Sequence, residues 1–223
     1  VGLVSGTCFA DIGNQVYCVD KDINKINKLN LGISPIYEPG LDELIQKNFK
    51  AKRLIFTTDL KKAIFASDIV FICVGTPNIK GSLKVDLSFV YKCTKEILLY
   101  TKKKKIVVTK STVPVGTGDE IEKILKRKKK LFSVISNPEF LREGEAIRDF
   151  RYPDRIVIGS NNKNDFKIME KLYSSLKNKG AKLFLTSRKS AELIKYASNA
   201  FLATKITFIN EIANLCEKLD INV

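Results

Sequence analysis

The chain has 223 residues, with 39 Lys and Arg against 24 Asp and Glu, no His, and a formal net charge of +15. Without histidine, Ser-His-Asp and Cys-His catalysis and His-ligated metal sites are excluded, and proton transfer falls to carboxylate, lysine or water. Hydrophobic content of 44% beside 28% charged residues is that of a globular protein, and no apolar run is long enough to span a bilayer. No signal peptide is expected, because no basic segment precedes an apolar core at the start. The five cysteines stand singly without a CxxC pair, which suits a reducing cytoplasm better than a disulfide framework or a zinc site. No metal is expected.

The chain opens "VGLVSGTCFADIGNQVYCVD", with Gly2, Gly6 and Ala10 four apart in a helical pattern over 2–13 and a strand over 15–20 ending on Asp20. This has the pattern of the back half of a nucleotide-binding βαβ unit. Gly2 fits the glycine that packs helix on strand, and Asp20 the carboxylate that holds the ribose hydroxyls. A turn or capping Asp would read the same way. Further strands are expected at 53–58, 68–75, 105–111, 131–137, 155–160 and 182–187, with helices at 22–30, 39–48, 59–66, 86–101, 117–129 and 164–178. The strands are rich in Val, Ile and Phe with little alternation, the mark of strands covered on both faces. The fold class is therefore α/β, a doubly wound parallel sheet of Rossmann type. From 188 to 219 runs an uninterrupted helical pattern, about 50 Å long at 1.5 Å per residue. Residues 1–187 are read as one cofactor domain and 188–223 as a connecting helix leading toward a central region.

Two lysine runs, "KKKK" at 102–105 and "KRKKK" at 126–130, raise the question of nucleic acid. Only 7 of the 39 basic residues are Arg, the side chain suited to base recognition, and each run closes a helical segment where cations meet the negative end of the dipole. Neither a nucleic-acid nor a membrane partner is expected.

Candidate chemistry gathers at strand carboxyl ends, where such sheets bind ligands. "VGTPN" (74–78) offers Thr76, and "STVPVGTGDE" (111–120) offers Ser111 and Thr112, unless these hydroxyls serve only turns and caps. In "SNPEFLREGEAIRDF" (136–150), Glu139 and Glu143 fall at an i, i+4 spacing. They would be a base and a substrate anchor, or solvated residues of a helix start. On the long helix Lys195 and Asn199 lie one turn apart and fit an oxyanion clamp or a polar stripe.

Together with "PIYEPGLDEL", "VGTP", "TKSTVPVGTGDE", "NPEFLREG", "PDRIVIG" and "ELIKYASNAFLATKITFINE", these residues make the chain resemble the UDP-glucose/GDP-mannose dehydrogenase family from its first residue to its last. The blocks look most like the UDP-glucose branch. The resemblance implies oxidation of UDP-glucose at C6 to UDP-glucuronate with two NAD+ and one water, by a homodimer or larger homo-oligomer. It places the cofactor on Gly2, Asp20, Lys25, Thr76, Ser111, Thr112 and Glu143. The substrate would lie on Glu139, Phe140, Leu141, Arg142, Glu143, Lys195 and Asn199. Glu139 would be the general base, Lys195 and Asn199 would stabilise the oxyanion, and Thr112 would orient the water. Two departures follow: only the last glycine of the family's GxGYVG loop is present, and none of the five cysteines stands in a "GGSCFPKD"-like context. The chain is thus expected to be truncated at both ends, without a candidate nucleophile for the covalent step. The alternatives are an inactive remnant of such an enzyme, or a relative acting on GDP-mannose or UDP-N-acetylmannosamine.

Overall fold

Short Val-, Ile- and Phe-rich strands alternate with helices in the order α1 (Gly2–Asp11), β1 (Val16–Val19), α2 (Ile23–Asn30), α3 (Leu41–Lys50), β2 (Leu54–Thr57), α4 (Leu60–Ala66) and β3 (Ile69–Ile72). The order continues with α5 (Ser88–Tyr100), β4 (Lys105–Thr109), α6 (Thr117–Leu125), β5 (Phe132–Ser136), α7 (Ala146–Arg151) and β6 (Arg155–Gly159). It closes with α8 (Lys163–Leu172), α9 (Ser174–Lys177), β7 (Lys182–Thr186) and α10 (Arg188–Leu219). This computed structural model describes residues 1–82 and 84–222, and the side chains of Lys129 and Lys130, within the second basic run, lie outside the described residues. Several helix starts are fixed by side-chain caps: Asp22, Asp59 and Asn162 each accept a backbone N–H from the first turn that follows.

The ladders fall into two sets, a parallel pair β1-β2 and a five-stranded sheet in the order β3-β4-β5-β6-β7. Alternation along the central strands separates two cores. Ile106 and Val108 of β4, with Ile135 of β5, face a core that also holds Phe9, Phe150 and Met169. Val107 and Val134 face the opposite core, with Ile64, Val90, Ile121 and Leu125. Helices cover both faces, which is the doubly wound three-layer arrangement. Phe9 is the hub of the first core, with ring centroids 5.1 Å from Phe71, 5.0 Å from Phe150 and 5.5 Å from Tyr173.

The expectation of an all-parallel sheet fails at one joint. β6 runs antiparallel to β5, and the two strands meet at a single pair, Ser136 with Gly159. Helix α7 has six residues and cannot carry the chain back along the full strand, so the chain turns over and β6 stands beyond the carboxyl end of β5. The body of β6 becomes a wall beside the loop that follows β5: Asn137 Nδ2 donates to the carbonyl of Val157 at 2.8 Å. Other expectations shift for local reasons. The helix expected over 117–129 ends at Leu125 and tightens into a 3-10 turn, Lys126–Leu131. The one expected over 164–178 breaks at Tyr173, whose side chain turns into the core. β7 is exposed on both faces, through Phe184 on one and Leu185 on the other, so it is not covered on both sides.

Helix α10 is 32 residues long and behaves as two halves. Its first turns bury Arg188, Ala191, Glu192 and Lys195 against β5 and β6, whereas Phe201, Leu202, Ile206, Phe208 and Ile209 are exposed. The seat is a backbone contact. A Cβ at Gly159 would lie 2.6 Å from Ala191 Cβ, 2.7 Å from the carbonyl oxygen of Ser187 and 2.9 Å from Arg188 Cα. Only glycine permits that approach. Gly159→Ala is therefore expected to push α10 off β6 at a cost of about 1–3 kcal/mol, seen as a thermal midpoint several degrees lower. An unchanged midpoint would show that the helix seat tolerates a methyl group.

Candidate active site

Three loops converge past the carboxyl ends of β3, β4 and β5. The first two are tied together by their own hydroxyls: Thr76 donates to the carbonyl of Thr112 at 2.8 Å, and Ser111 donates to that of Val74 at 2.7 Å. Each oxygen keeps lone pairs that can accept from a ligand. The start of α1 comes close to the first loop, since a Cβ at Gly2 would lie 3.0 Å from Cys73 Cβ. At the end of β1, Asp20 accepts from the N–H of Asp22 at 3.0 Å and its second oxygen lies 3.8 Å from the ammonium of Lys25. These residues fit a dinucleotide: a glycine where helix meets strand, hydroxyls on the neighbouring loops, and a carboxylate at a strand end for a ribose.

The third loop carries the most compact chemistry. The chain from Asn137 to Arg142 is not helical, so Glu139 and Glu143 do not share a helix face as their spacing suggested. Pro138 and the turn at 143–145 keep this stretch open, and α7 starts only at Ala146. Glu139 folds inward. Its Oε2 accepts from the N–H of Leu141 at 2.6 Å and its Oε1 lies 3.4 Å from the Lys195 ammonium, with both side chains 10% exposed. Glu143 is exposed in the turn, and Asn199 is exposed one turn beyond Lys195. The structure thus brings together Glu139 and Lys195, and leaves Glu143 and Asn199 at the rim.

Phe140 lies between two cations. The Arg155 guanidinium sits 4.3 Å from its ring centroid and the Lys195 ammonium 5.2 Å. Arg142 is bound away from the site by Asp149, through Nε at 3.0 Å and a second guanidinium nitrogen at 2.7 Å.

Four further residues shape the site and were not singled out from the sequence. Glu38, in the "PIYEPG" block, caps the turn before α7 by accepting the N–H groups of Gly144 at 3.0 Å and Ala146 at 2.7 Å. Arg155 comes from β6 and reaches α10, where it donates to Ser198 Oγ at 3.3 Å. Glu192 ties α10 to α6. Lys110 is buried at the end of β4. The one usable sequence signal for these was position: all four lie inside family blocks, Lys110 directly before Ser111 and Glu192 three residues before Lys195.

Residues 1–177 match the model of the UDP-glucose/GDP-mannose dehydrogenase family, NAD binding domain, and residues 189–223 match that family's central domain. The chain belongs to this family. Over its whole length it is 55% identical to UDP-glucose 6-dehydrogenase of Rhizobium meliloti (strain 1021) and 50% identical to UDP-glucose 6-dehydrogenase TuaD of Bacillus subtilis (strain 168), covering 52% and 48% of those proteins. It spans about half the length of the curated relatives it matches. Among solved structures, the GDP-mannose dehydrogenase of Pseudomonas aeruginosa, a ternary complex, aligns over 100% of this chain and 52% of its own with a TM-score of 0.94 at 37% identity. The UDP-glucose dehydrogenase of Pyrobaculum islandicum aligns over 99% of this chain and 52% of its own with a TM-score of 0.92, also at 37% identity.

A cavity of about 590 Å³ opens beyond β4 and β5, lined among others by Lys110, Asn137, Glu139, Phe140, Arg155 and Tyr173. Lys110 Nζ donates to Asn137 Oδ1 at 3.3 Å, and Tyr173 donates to the same oxygen at 2.6 Å. Burial lowers the Lys110 pKa from 10.5 to about 8; Cys73 and Glu139 pull it up and Lys195 pushes it further down. The sign for stability follows. Between about 8 and 10.5 the unfolded chain binds the proton that the folded chain has lost, so stability from this group rises with pH across that window. At pH 7 the buried ammonium is a cost. Lys110→Met, close in volume, is expected to stabilise the fold at pH 7 by on the order of 2–3 kcal/mol. The gain should shrink as pH climbs past 8 toward 10. Denaturant titration of both proteins at pH 7 and pH 10 checks this, and an equal gain at both would refute it.

Proposed function

We propose that this chain carries the NAD-binding half of an enzyme that oxidises the C6 alcohol of UDP-glucose to the carboxylate of UDP-glucuronate. The observation that supports it most is the Glu139–Lys195 pair, at 3.4 Å and almost dry, placed between hydroxyl-bearing loops at the carboxyl end of a doubly wound sheet. The 55% and 50% identities to UDP-glucose 6-dehydrogenases favour the UDP-glucose reading; the solved GDP-mannose and UDP-glucose relatives, both at 37%, do not separate the two sugars.

NAD+, when bound, would supply the hydride acceptor for two oxidations, alcohol to aldehyde and, with the oxygen of one water, aldehyde to acid. The chain's own residues hold the two ligands and move the proton. Gly2, Asp20, Lys25, Thr76 and Ser111 hold the dinucleotide, and Glu143 stands at the rim where cofactor and substrate meet. The backbone of Glu139, Phe140, Leu141, Arg142 and Glu143 holds the sugar nucleotide. As C6 loses hydride, its oxygen gives up a proton to Glu139, directly or through a water that Thr112 orients. Lys195, with Asn199 one turn on, stabilises negative charge that develops on that oxygen. The ion pair suits both tasks: a substrate oxygen entering between the two groups meets the carboxylate as base and takes over the ammonium. The carboxylate of Asp20 would repel the 2′-phosphate of NADP, so NAD is the cofactor of choice.

One assay on the full-length protein tests this. With UDP-glucose, NAD+ is expected to be reduced at two equivalents per sugar and NADP+ scarcely at all, and Lys195→Ala is expected to lower kcat by about 10²–10³. Turnover of GDP-mannose in preference to UDP-glucose would overturn the substrate reading.

We also propose that the exposed half of α10 is covered by a second copy of the protein in the cytoplasm. Phe201, Phe208, Ile209, Leu215 and Leu219 lie on a stretch whose side chains are nearly all in solvent in the single chain, an exposure that a lone helix cannot sustain without a partner. No helix among the described residues is long and apolar enough to cross a membrane. Sedimentation of the full-length protein should give a dimer or a multiple of it, and Phe208→Asp should shift it toward monomer. A wild-type monomer at micromolar concentration would remove this proposal.

A further inference from the structure

We infer that Glu192 is a positioning residue: its carboxylate fixes the loop bearing Ser111 and Thr112 against the helix bearing Lys195, and so sets the spacing of the cofactor side and the substrate side of the site. The inference rests on the roles proposed above for Thr112 and Lys195.

The carboxylate is 3% exposed and fully occupied. Oε2 accepts the N–H of Gly116 at 2.6 Å, and Oε1 accepts the N–H of Gly118 at 2.8 Å and the hydroxyl of Ser136 at 3.1 Å. Gly116 and Gly118 are the amides that open α6, directly after the loop of Ser111 and Thr112, and Ser136 closes β5 just before Glu139. One side chain on α10 thus holds the ends of two of the three site loops. Lys195 follows three residues later, on the same face of the helix.

The space around the carboxylate is as restrictive as its bonding. A Cβ at Gly118 would lie 3.0 Å from Glu192 Oε1, 3.2 Å from Arg188 Cδ and 3.2 Å from Ser136 Oγ. Gly116 has a positive φ of 96°, which turns its N–H toward the carboxylate at little strain for glycine. Arg188 makes the reciprocal tie, reaching from α10 to Asp119 and Glu122 of α6 at 2.6 Å each, at a more solvated place. Between the loop and the helix remains a gap of about 10 Å³ lined by Ser111, Thr112, Glu192 and Lys195, among others. That is room for one water at most. A shift of α6 away from α10 would widen this gap and separate Thr112 from Lys195, while the 139–143 backbone, held by Glu38 and Asp149, would stay.

The test compares wild type, Glu192→Gln and Gly118→Ala as full-length proteins, by amide hydrogen exchange and by UDP-glucose oxidation with NAD+. Gln keeps the shape but presents an NH2 group to one of the two N–H donors, and Gly118→Ala displaces the carboxylate without touching its charge. In both variants, peptides over 111–118 should exchange about tenfold or more faster while the 155–159 strand is unchanged. kcat should fall about tenfold or more, with KM for UDP-glucose within about threefold, as expected for geometry lost in the transition state and retained in binding. Unchanged exchange over 111–118 overturns the inference, as does faster exchange spread equally over β6, which would make Glu192 a stabiliser of the domain at large. Faster loop exchange with unchanged kcat overturns it too. If the wild-type protein leaves UDP-glucose untouched, the proposed function falls separately, and the exchange pattern alone decides whether the clamp exists.

Discussion

The site depends on a contact in which no functional group takes part: the crossing of α10 over Gly159. Backbone meets backbone there, with the carbonyl of Ser187 and the Cα of Arg188 lying where any side chain would have to go. A helix seated this closely cannot roll or slide without collision, so the residues on its buried face have fixed positions before any ion pair forms. Glu192 and Lys195 follow from that seat, one turned to α6 and the other to Glu139. The polar contacts refine a geometry that steric exclusion has set. The order makes physical sense, because close packing is stiff whereas single ion pairs are soft and modest in energy.

The second constraint is the cost of charge away from water. Lys110, Glu139, Glu192, Arg188 and Lys195 are all largely buried near the ends of β4 and β5. An isolated ion in such a place costs several kcal/mol, and a pair recovers this only when its hydrogen bonds are filled. The structure meets that condition unevenly. Glu192 has three donors, and Arg188 has two carboxylates. Among the described residues Lys110 has the amide oxygen of Asn137, shared with Tyr173, and burial depresses its pKa. The three-donor clamp on Glu192 holds the scaffold, and Lys110, with its shared acceptor, lines the cavity. This division is what a binding site requires, since a group with unfilled bonds can gain most from a ligand.

Much of this was legible in the residues. The alternation of apolar strands and amphipathic helices gave the layers, and the unbroken pattern from 188 to 219 gave α10 to the residue, because a long helix has a strong period and its Ser187 cap is local. The antiparallel β6 was not legible: "RIVIG" has the same apolar run whichever way the strand points, and direction is decided by the length of the preceding connection. Glu139 and Glu143 were misplaced because an i, i+4 spacing has meaning only inside a helix, and Pro138 with Gly144 keeps that stretch out of one. Glu38 and Glu192 escaped notice for a different reason. Their partners are backbone amides 106 to 108 and 74 to 76 residues away, and backbone donors leave no mark in a sequence.

The surface charge completes the account of the site. The net charge of +15 resides mostly in lysines on helix ends and loops, and the structure gives these few tasks: Lys128 donates to the carbonyls of Leu98 and Thr101, closing the end of α5, and Lys123 pairs with Glu120. Lys102, Lys103, Lys104, Lys126 and Lys128 of the two basic runs are exposed. They raise the potential around a cleft whose proposed ligands, a dinucleotide and a nucleotide sugar, both carry diphosphates. At ordinary ionic strength that field acts over about 8–10 Å, far enough to favour encounter and too weak to select between anions. In the proposed function, selection then falls to the short-range groups: the carboxylate of Asp20 on the cofactor side, and on the other the loop from Glu139 to Glu143, held by Asp149 and Arg155.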